Sequence, residues 1–219
     1  MSPIVKLCGV MTEADARLCV RYGADIIGLV TRFPRPVPWN LDPEVAARIA
    51  AAVPDAAKTC VVTGGPPAVV RAIARAVKPD FVQLHDGGSL DDTARLVAWL
   101  GEDGIGVIKT LFPGTPDLLR AGEFAAAGVA ALLVDPRTPA DAERGGAADL
   151  GAYRAVRARV TCPVILAGGI TPDNVATLVR ATEAPVIDIM TGVESAPGVK
   201  DETLVAALFQ ALGRGRAVP

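Results

Sequence analysis

Short apolar runs rich in β-branched residues alternate along this chain with longer Ala-rich stretches that mix apolar and charged positions. The short runs fall at 4–8, 26–30, 58–62, 81–84, 106–110, 131–135, 163–167 and 186–189. Most are almost wholly apolar, which is the pattern of strands buried on both faces of a parallel sheet. Each is followed by a helical run, so the chain reads as eight βα units. Helix starts are marked as well. Thr12 with Asp15 and Ser89 with Asp92 read as capping boxes. Asp42-Pro43, Thr115-Pro116 and Thr171-Pro172 each place a capping side chain before a proline at the first helical position. The last helix is expected over about 201–212.

Eight regular βα units are what closure of an α/β (β/α)8 TIM barrel requires. The competitor is an open doubly wound sheet, which usually has fewer strands. Its dinucleotide-binding form carries Gly-x-Gly-x-x-Gly after the first strand. The first turn here is Cys8-Gly9-Val10-Met11-Thr12, without that fingerprint. The expectation is a single barrel domain over residues 1–219. The longest irregular segments, 31–41 and 136–149, follow strands and so fall on the face where barrel active sites are built.

Composition sharpens this picture. The chain is 51% hydrophobic and only 4% aromatic, so its core must come from Ala, Val, Leu and Ile, which suits a barrel interior. A net charge of -2 gives no bulk electrostatic reason to expect a nucleic-acid partner. Lys6 interrupts the place where a secretory signal would be apolar, and no apolar run reaches the roughly 18 residues of a membrane helix. No membrane partner is expected, and the expected location is the cytoplasm. Cys8, Cys19, Cys60 and Cys162 are widely spaced with no Cys-x-x-Cys pair, so zinc-ribbon and thioredoxin-like readings fail and free thiols are expected.

Candidate chemistry gathers at strand ends. Gly168-Gly169 follows the seventh strand and Thr191-Gly192 the eighth. Glycine turns let a backbone close around an anion, and phosphate sites in these barrels are often built there. Lys6 and Cys8 share one side of the first strand by alternation. Cys8 reads either as a base or nucleophile at the barrel mouth, helped by a nearby cation, or as a buried structural cysteine. Cys19, Cys60 and Cys162 read as packing residues. Asp135 closes the apolar sixth strand, where a carboxylate needs water, a ligand or a capping role. Asp188, inside the eighth strand, needs a partner, with Lys6 and Lys109 as candidates. His85, the only histidine, reads either as a substrate donor or as a ring satisfied by backbone. Arg35 could fork onto a carboxylate or phosphate, or simply sit in solvent.

Together these pieces resemble the phosphoribosylanthranilate isomerase family. The matching segments are Lys6-Leu7-Cys8-Gly9, Gly23-Ala24-Asp25 with Ile27-Gly28, Pro34-Arg35, Val82-Gln83-Leu84-His85 and Leu133-Val134-Asp135. They continue with Leu166-Ala167-Gly168-Gly169-Ile170-Thr171-Pro172, Asn174-Val175, Gly192-Val193-Glu194-Ser195 and Pro197-Gly198-Val199-Lys200-Asp201. The resemblance implies an Amadori rearrangement of a phosphorylated aminosugar in tryptophan biosynthesis. Asp135 would be the general acid and Cys8 the base. Arg35 would hold the anthranilate carboxylate, His85 and Asp188 would contact substrate, and Gly168, Gly169, Thr191 and Gly192 would hold the phosphate. It implies no metal or organic cofactor, and leaves a monomer and a homodimer both open. Departures from the family pattern lie at Phe33, Arg32, the turn Asp86-Gly87-Gly88, the loop 145–149 and Met190-Thr191. They leave two alternatives: a relative acting on another phosphorylated aminosugar, and a non-catalytic sugar-phosphate-binding barrel.

Overall fold

The apolar runs form strands whose side chains alternate between two dry environments. A computed structural model describes residues 2–86, 88–136 and 146–214. Eight parallel strands close in sequence order: Ile4–Leu7 (β1), Ile26–Val30 (β2), Lys58–Thr63 (β3), Phe81–Leu84 (β4), Gly106–Leu111 (β5), Ala131–Val134 (β6), Val164–Ala167 (β7) and Val186–Ile189 (β8). The eight expected strands are all present, with ends displaced by a residue at most. The open-sheet alternative is excluded by direct pairing of β1 with β8, Ile4 opposite Val186 through Leu7 opposite Ile189.

The helices described are Glu13–Tyr22 (α1), Pro43–Ala51 (α2), Pro67–Val77 (α3), Leu90–Gly101 (α4), Pro116–Leu119 (α5), Ala121–Ala126 (α6), Leu150–Arg157 (α7), Val175–Thr182 (α8) and Glu202–Ala211 (α9). A 3-10 turn at Thr191–Val193 and a small hairpin, Glu194–Ala196 (β9) with Val199–Lys200 (β10), separate β8 from α9. Thr12 and Ser89 accept the backbone N–H of Asp15 and Asp92, as the capping pattern predicts. Thr171-Pro172 does not start a helix. Instead Asn174 takes the cap position, its Oδ1 accepts the Thr171 N–H, and α8 begins at Val175. The Asn174 amide ties the preceding turn twice, donating also to Gly169 O at 2.8 Å.

One set of strand side chains packs outward against the helices and makes the large core, including Leu7, Leu29, Val61, Leu132, Leu166 and Ile187. The other set fills the barrel. Much of it is one apolar cluster: Ile26, Cys60, Ile108, Ala131, Leu133, Ile165, Ala167 and Val186. Continuing each strand two residues on, the same alternation points Cys8, Val30, Val62, His85, Asp135 and Met190 toward the C-terminal mouth.

Candidate active site

The mouth of the barrel is a pocket lined by Cys8, Val30, Phe33, Val37, Trp39, Val62, Gln83, His85, Asp135, Asp188 and Met190. It therefore contains four of the polar residues singled out from sequence: Cys8, His85, Asp135 and Asp188. Cys8 stands at the end of β1 and Asp135 at the end of β6, so the thiol and the carboxyl reach the same cavity from different sides of the barrel. Both are buried, at 4% exposure each. The space for the thiol is made by Gly28 in β2. A Cβ there would meet Cys8 Sγ at 2.8 Å and its Cα at 2.9 Å.

Beneath Cys8 lies an ion pair. Lys6 Nζ donates to Asp188 Oδ1 at 2.9 Å, with the lysine wholly buried and Asp188 open to the pocket. Of the two partners considered for Asp188, Lys6 is the one the barrel provides. Lys109 faces outward from β5, where it donates to the Asp86 and Gly88 carbonyls at 2.8 and 3.2 Å and stands over the Phe124 ring. Burial works against the Lys6 ammonium, but the Asp188 carboxylate favours it by charge and hydrogen bond, and the net shift of its pKa is upward. Burial pushes the Cys8 thiol up. Lys6 and Lys200 pull it down, and Asp188 adds to the rise, leaving it above the ordinary thiol range. Cys19 and Cys60 are buried, each pushed up to about 12 by burial, and Cys162 is half-buried.

His85 follows β4 and sits edge-on to Phe112, ring centroids 5.2 Å apart, with Phe33 at 5.9 Å. Its Nδ1 lies 3.2 Å from Gln83 Nε2 and 3.3 Å from Thr110 Oγ1. With Gln83 as donor, Nδ1 accepts and the ring proton lies on Nε2. The ring is held by side chains of the barrel interior rather than by backbone alone. Gln83 Oε1 is buried with no partner among the described residues.

The loop after β2 closes one wall. It is pinched by Arg32 N–H donating to Leu41 O, and by Asn40 Oδ1 accepting from Phe33 N–H at 2.9 Å. The pinch drives Phe33 and Trp39 into the pocket and leaves Arg35 exposed on the rim, outside the pocket lining. Trp39 was not legible as a site residue. Its indole N–H donates to Glu194 at 3.1 Å, and Glu194 Oε1 accepts from Lys200 Nζ at 2.6 Å. Lys200 also donates to Cys8 O at 2.5 Å, so the β9–β10 hairpin fastens the end of β1.

The glycine turns lie together on the neighbouring rim. Gly168 and Gly169 both have positive φ, 97° and 58°. A Cβ on Gly169 would run into Gly146 O, and one on Gly192 into Ile170 O. The backbones after β6, β7 and β8 thus come together more tightly than side chains would permit. Thr191 is exposed at the start of the 3-10 turn. Residues 137–145 of the loop after β6, including Gly145, and Gly87 after His85 lie outside the described residues.

Comparison with known proteins agrees with this fold. The model of the N-(5'-phosphoribosyl)anthranilate isomerase family matches residues 5–211. The chain belongs to this family. The N-(5'-phosphoribosyl)anthranilate isomerase of Haloferax volcanii is 40% identical over 217 residues, covering 97% of this chain and 94% of that protein. The crystal structure of the phosphoribosyl anthranilate isomerase of Thermus thermophilus superimposes with a TM-score of 0.81 at 29% identity, covering 95% of this chain and 98% of that one. The Thermotoga maritima enzyme gives 0.81 at 26% identity, over 96% of this chain and 98% of its own. Within the family pattern, the departures at Phe33 and Met190 are pocket-lining residues.

Proposed function

We propose that the chain is an aldose–ketose isomerase that converts N-(5-phosphoribosyl)anthranilate into 1-(2-carboxyphenylamino)-1-deoxyribulose 5-phosphate, an Amadori rearrangement in tryptophan biosynthesis. The observation that carries this reading is the meeting of Cys8 and Asp135 in one pocket beside a glycine-lined rim. The family membership gives the substrate class its prior.

In this reading Asp135 donates a proton to the furanose ring oxygen as the C1′–O bond breaks. The anilino nitrogen lone pair forms the C1′ iminium. Cys8 then takes the C2′ proton, and the electron pair left behind neutralises the iminium as an enol-amine. Protonation at C1′ and loss of the enol proton give the ketone. A buried thiol is a weak acid, yet the iminium cation forms beside it, and Lys6 lies below. Both favour the thiolate when it is needed. Orientation plus one acid and one base account for the chemistry.

The glycine turns after β7 and β8 are assigned to the phosphate, with Gly168, Gly169, Thr191 and Gly192 offering backbone N–H groups. Asp188 and His85 are assigned to the sugar and the anilino nitrogen. Arg35, carried by the loop that puts Phe33 and Trp39 into the pocket, is assigned to the anthranilate carboxylate. The working unit in this reading is one barrel over residues 1–219, as a monomer or within a homodimer. No helix among the described residues is long and apolar enough to cross a membrane. A cytoplasmic location fits the biosynthetic role of the family.

One observation favours a second reading. Met190 and Phe33 make the pocket wall more apolar than the family pattern, which suits a relative acting on a different phosphorylated aminosugar. The test is turnover of phosphoribosylanthranilate by the purified protein, followed as loss of anthranilate fluorescence. Saturable conversion to the ribulose product supports the isomerase. Retained binding of sugar phosphates with no conversion of phosphoribosylanthranilate supports the second reading, and loss of both removes both readings.

A further inference from the structure

We propose that Lys6 is a positioning residue of this site: pinned by Asp188 beneath the pocket, its ammonium is the cation against which the Cys8 thiolate forms. The inference rests on the proposed role of Cys8 as the proton acceptor. Its evidence is the arrangement of charge inside the barrel. Lys6 lies two residues before Cys8 on β1, so both side chains point into the barrel. Lys6 pairs in register with Asp188 on β8, and their side chains meet at 2.9 Å. The lysine is wholly buried, while Asp188 and Cys8 line the pocket above it.

Stability alone does not account for this pair. Replacing a buried ion pair with apolar residues of similar volume is often neutral or stabilising. The apolar interior beside and below it is built from such residues, including Ile26, which pairs in register with Lys6, and Ile108, Leu133 and Ile165. A charged pair placed between that apolar packing and the pocket is instead suited to act on what lies above it.

The groups facing Cys8 can be sorted by element. On its own strand Lys6 acts on it as a charge that favours the thiolate. Asp188 on β8 opposes ionisation. Cys60 on β3, which pairs with Gly28 under the thiol, is itself neutral in its ordinary state because burial pushes it up to about 12. Lys200 on β10 favours the thiolate less than Lys6 does, and its ammonium is engaged by Glu194 at 2.6 Å and by the Cys8 carbonyl. Asp135 from β6 and His85 from β4 line the same pocket. Lys6 is thus the strongest influence toward the thiolate, and Asp188 fixes where it sits.

The test measures the thiol rather than turnover. The wild-type protein, Lys6→Arg, Lys6→Met and the double variant Lys6→Met/Asp188→Asn are alkylated with iodoacetamide across pH, and the Cys8 peptide is quantified by mass spectrometry. That readout separates Cys8 from the half-buried Cys162. Removing an adjacent cation raises a thiol's titration midpoint by about one to three pH units. Lys6→Met is expected to slow Cys8 alkylation at fixed pH by tenfold or more. The double variant keeps the test valid if Lys6→Met alone leaves Asp188 buried and unpaired and fails to fold. It is expected to move the midpoint upward by less. Lys6→Arg, which keeps the charge, is expected to stay near the wild type. An unchanged Cys8 profile in whichever methionine variant folds overturns the proposal. Turnover is measured alongside. Shifted alkylation in the Lys6 variants beside a wild type that never converts phosphoribosylanthranilate leaves the coupling of Lys6 to the Cys8 thiol standing and removes the proposed reaction.

Discussion

The inside of the barrel changes character halfway up, and the two halves are shaped by different demands. The lower layer is packed with Ile26, Ile108, Leu133, Ile165, Val186 and their small neighbours. Toward the mouth the inward positions turn polar, from Lys6, in register with Ile26, through Gln83, Asp188 and Thr110 to Cys8, His85, Asp135 and Met190. The strands and their alternation are the same in both halves. What differs is that the upper half holds charge and polar atoms where hydrophobic side chains would pack at least as well. The lower half explains why the chain folds, and the upper half carries what the fold is for. Rules of stability break where function begins.

Substitutions in the two halves should therefore separate cleanly. The largest effects on turnover are expected at Cys8 and Asp135. Cys8→Ser and Asp135→Asn should each lower kcat by about 10²- to 10⁴-fold, the range for loss of a positioned acid or base, with the melting temperature little changed. Steady-state kinetics beside thermal melts reads both. Next, Leu133→Ala in the lower layer should cost about 2–5 kcal/mol of stability, visible in urea melts, while the folded fraction keeps its kcat. Loss of kcat without loss of stability in that variant would blur the division between the halves. Gly28→Ala tests the boundary itself. Its new Cβ would sit 2.8 Å from Cys8 Sγ, so the thiol must move, and kcat is expected to fall by about tenfold to a hundredfold.

The pH dependence follows from the environment of the thiol. A base must be deprotonated to act, and burial holds the Cys8 thiol above its ordinary range. In Asp135→Asn, where the acid no longer titrates, the residual kcat/KM is therefore expected to keep climbing through the alkaline range. A profile that levels off below neutrality would mean a different group accepts the proton.

The fold was legible because strand burial on two faces writes itself as continuous apolar runs, and every such run became a barrel strand. Cys8, His85, Asp135 and Asp188 were legible because period-two alternation carries a strand's last residues to the mouth. Other features were not. The choice between Lys6 and Lys109 as partner of Asp188 depends on strand parity, since Lys6 points inward and Lys109 outward. The start of α8 lies at Val175 rather than Thr171, after a turn in which the Asn174 side chain bonds the Gly169 carbonyl and the Thr171 N–H. Trp39 became a wall of the pocket through a loop pinch made by Asn40 and a distant carboxylate, Glu194, and neither contact has a local sequence signal. Arg35, plain in sequence, sits on the exposed rim, because that same pinch turns Phe33 inward beside it.

The most direct measurement is a crystal structure of the protein bound to a stable reduced analogue of the ribulose product. The thiol of Cys8 and the carboxyl of Asp135 should both lie within about 3.2 Å of the ligand's reacting segment, or one water away from it, on different sides. The phosphate should rest on the glycine turns after β7 and β8. A ligand whose phosphate lies elsewhere, or whose sugar reaches only one of those two side chains, would contradict the account.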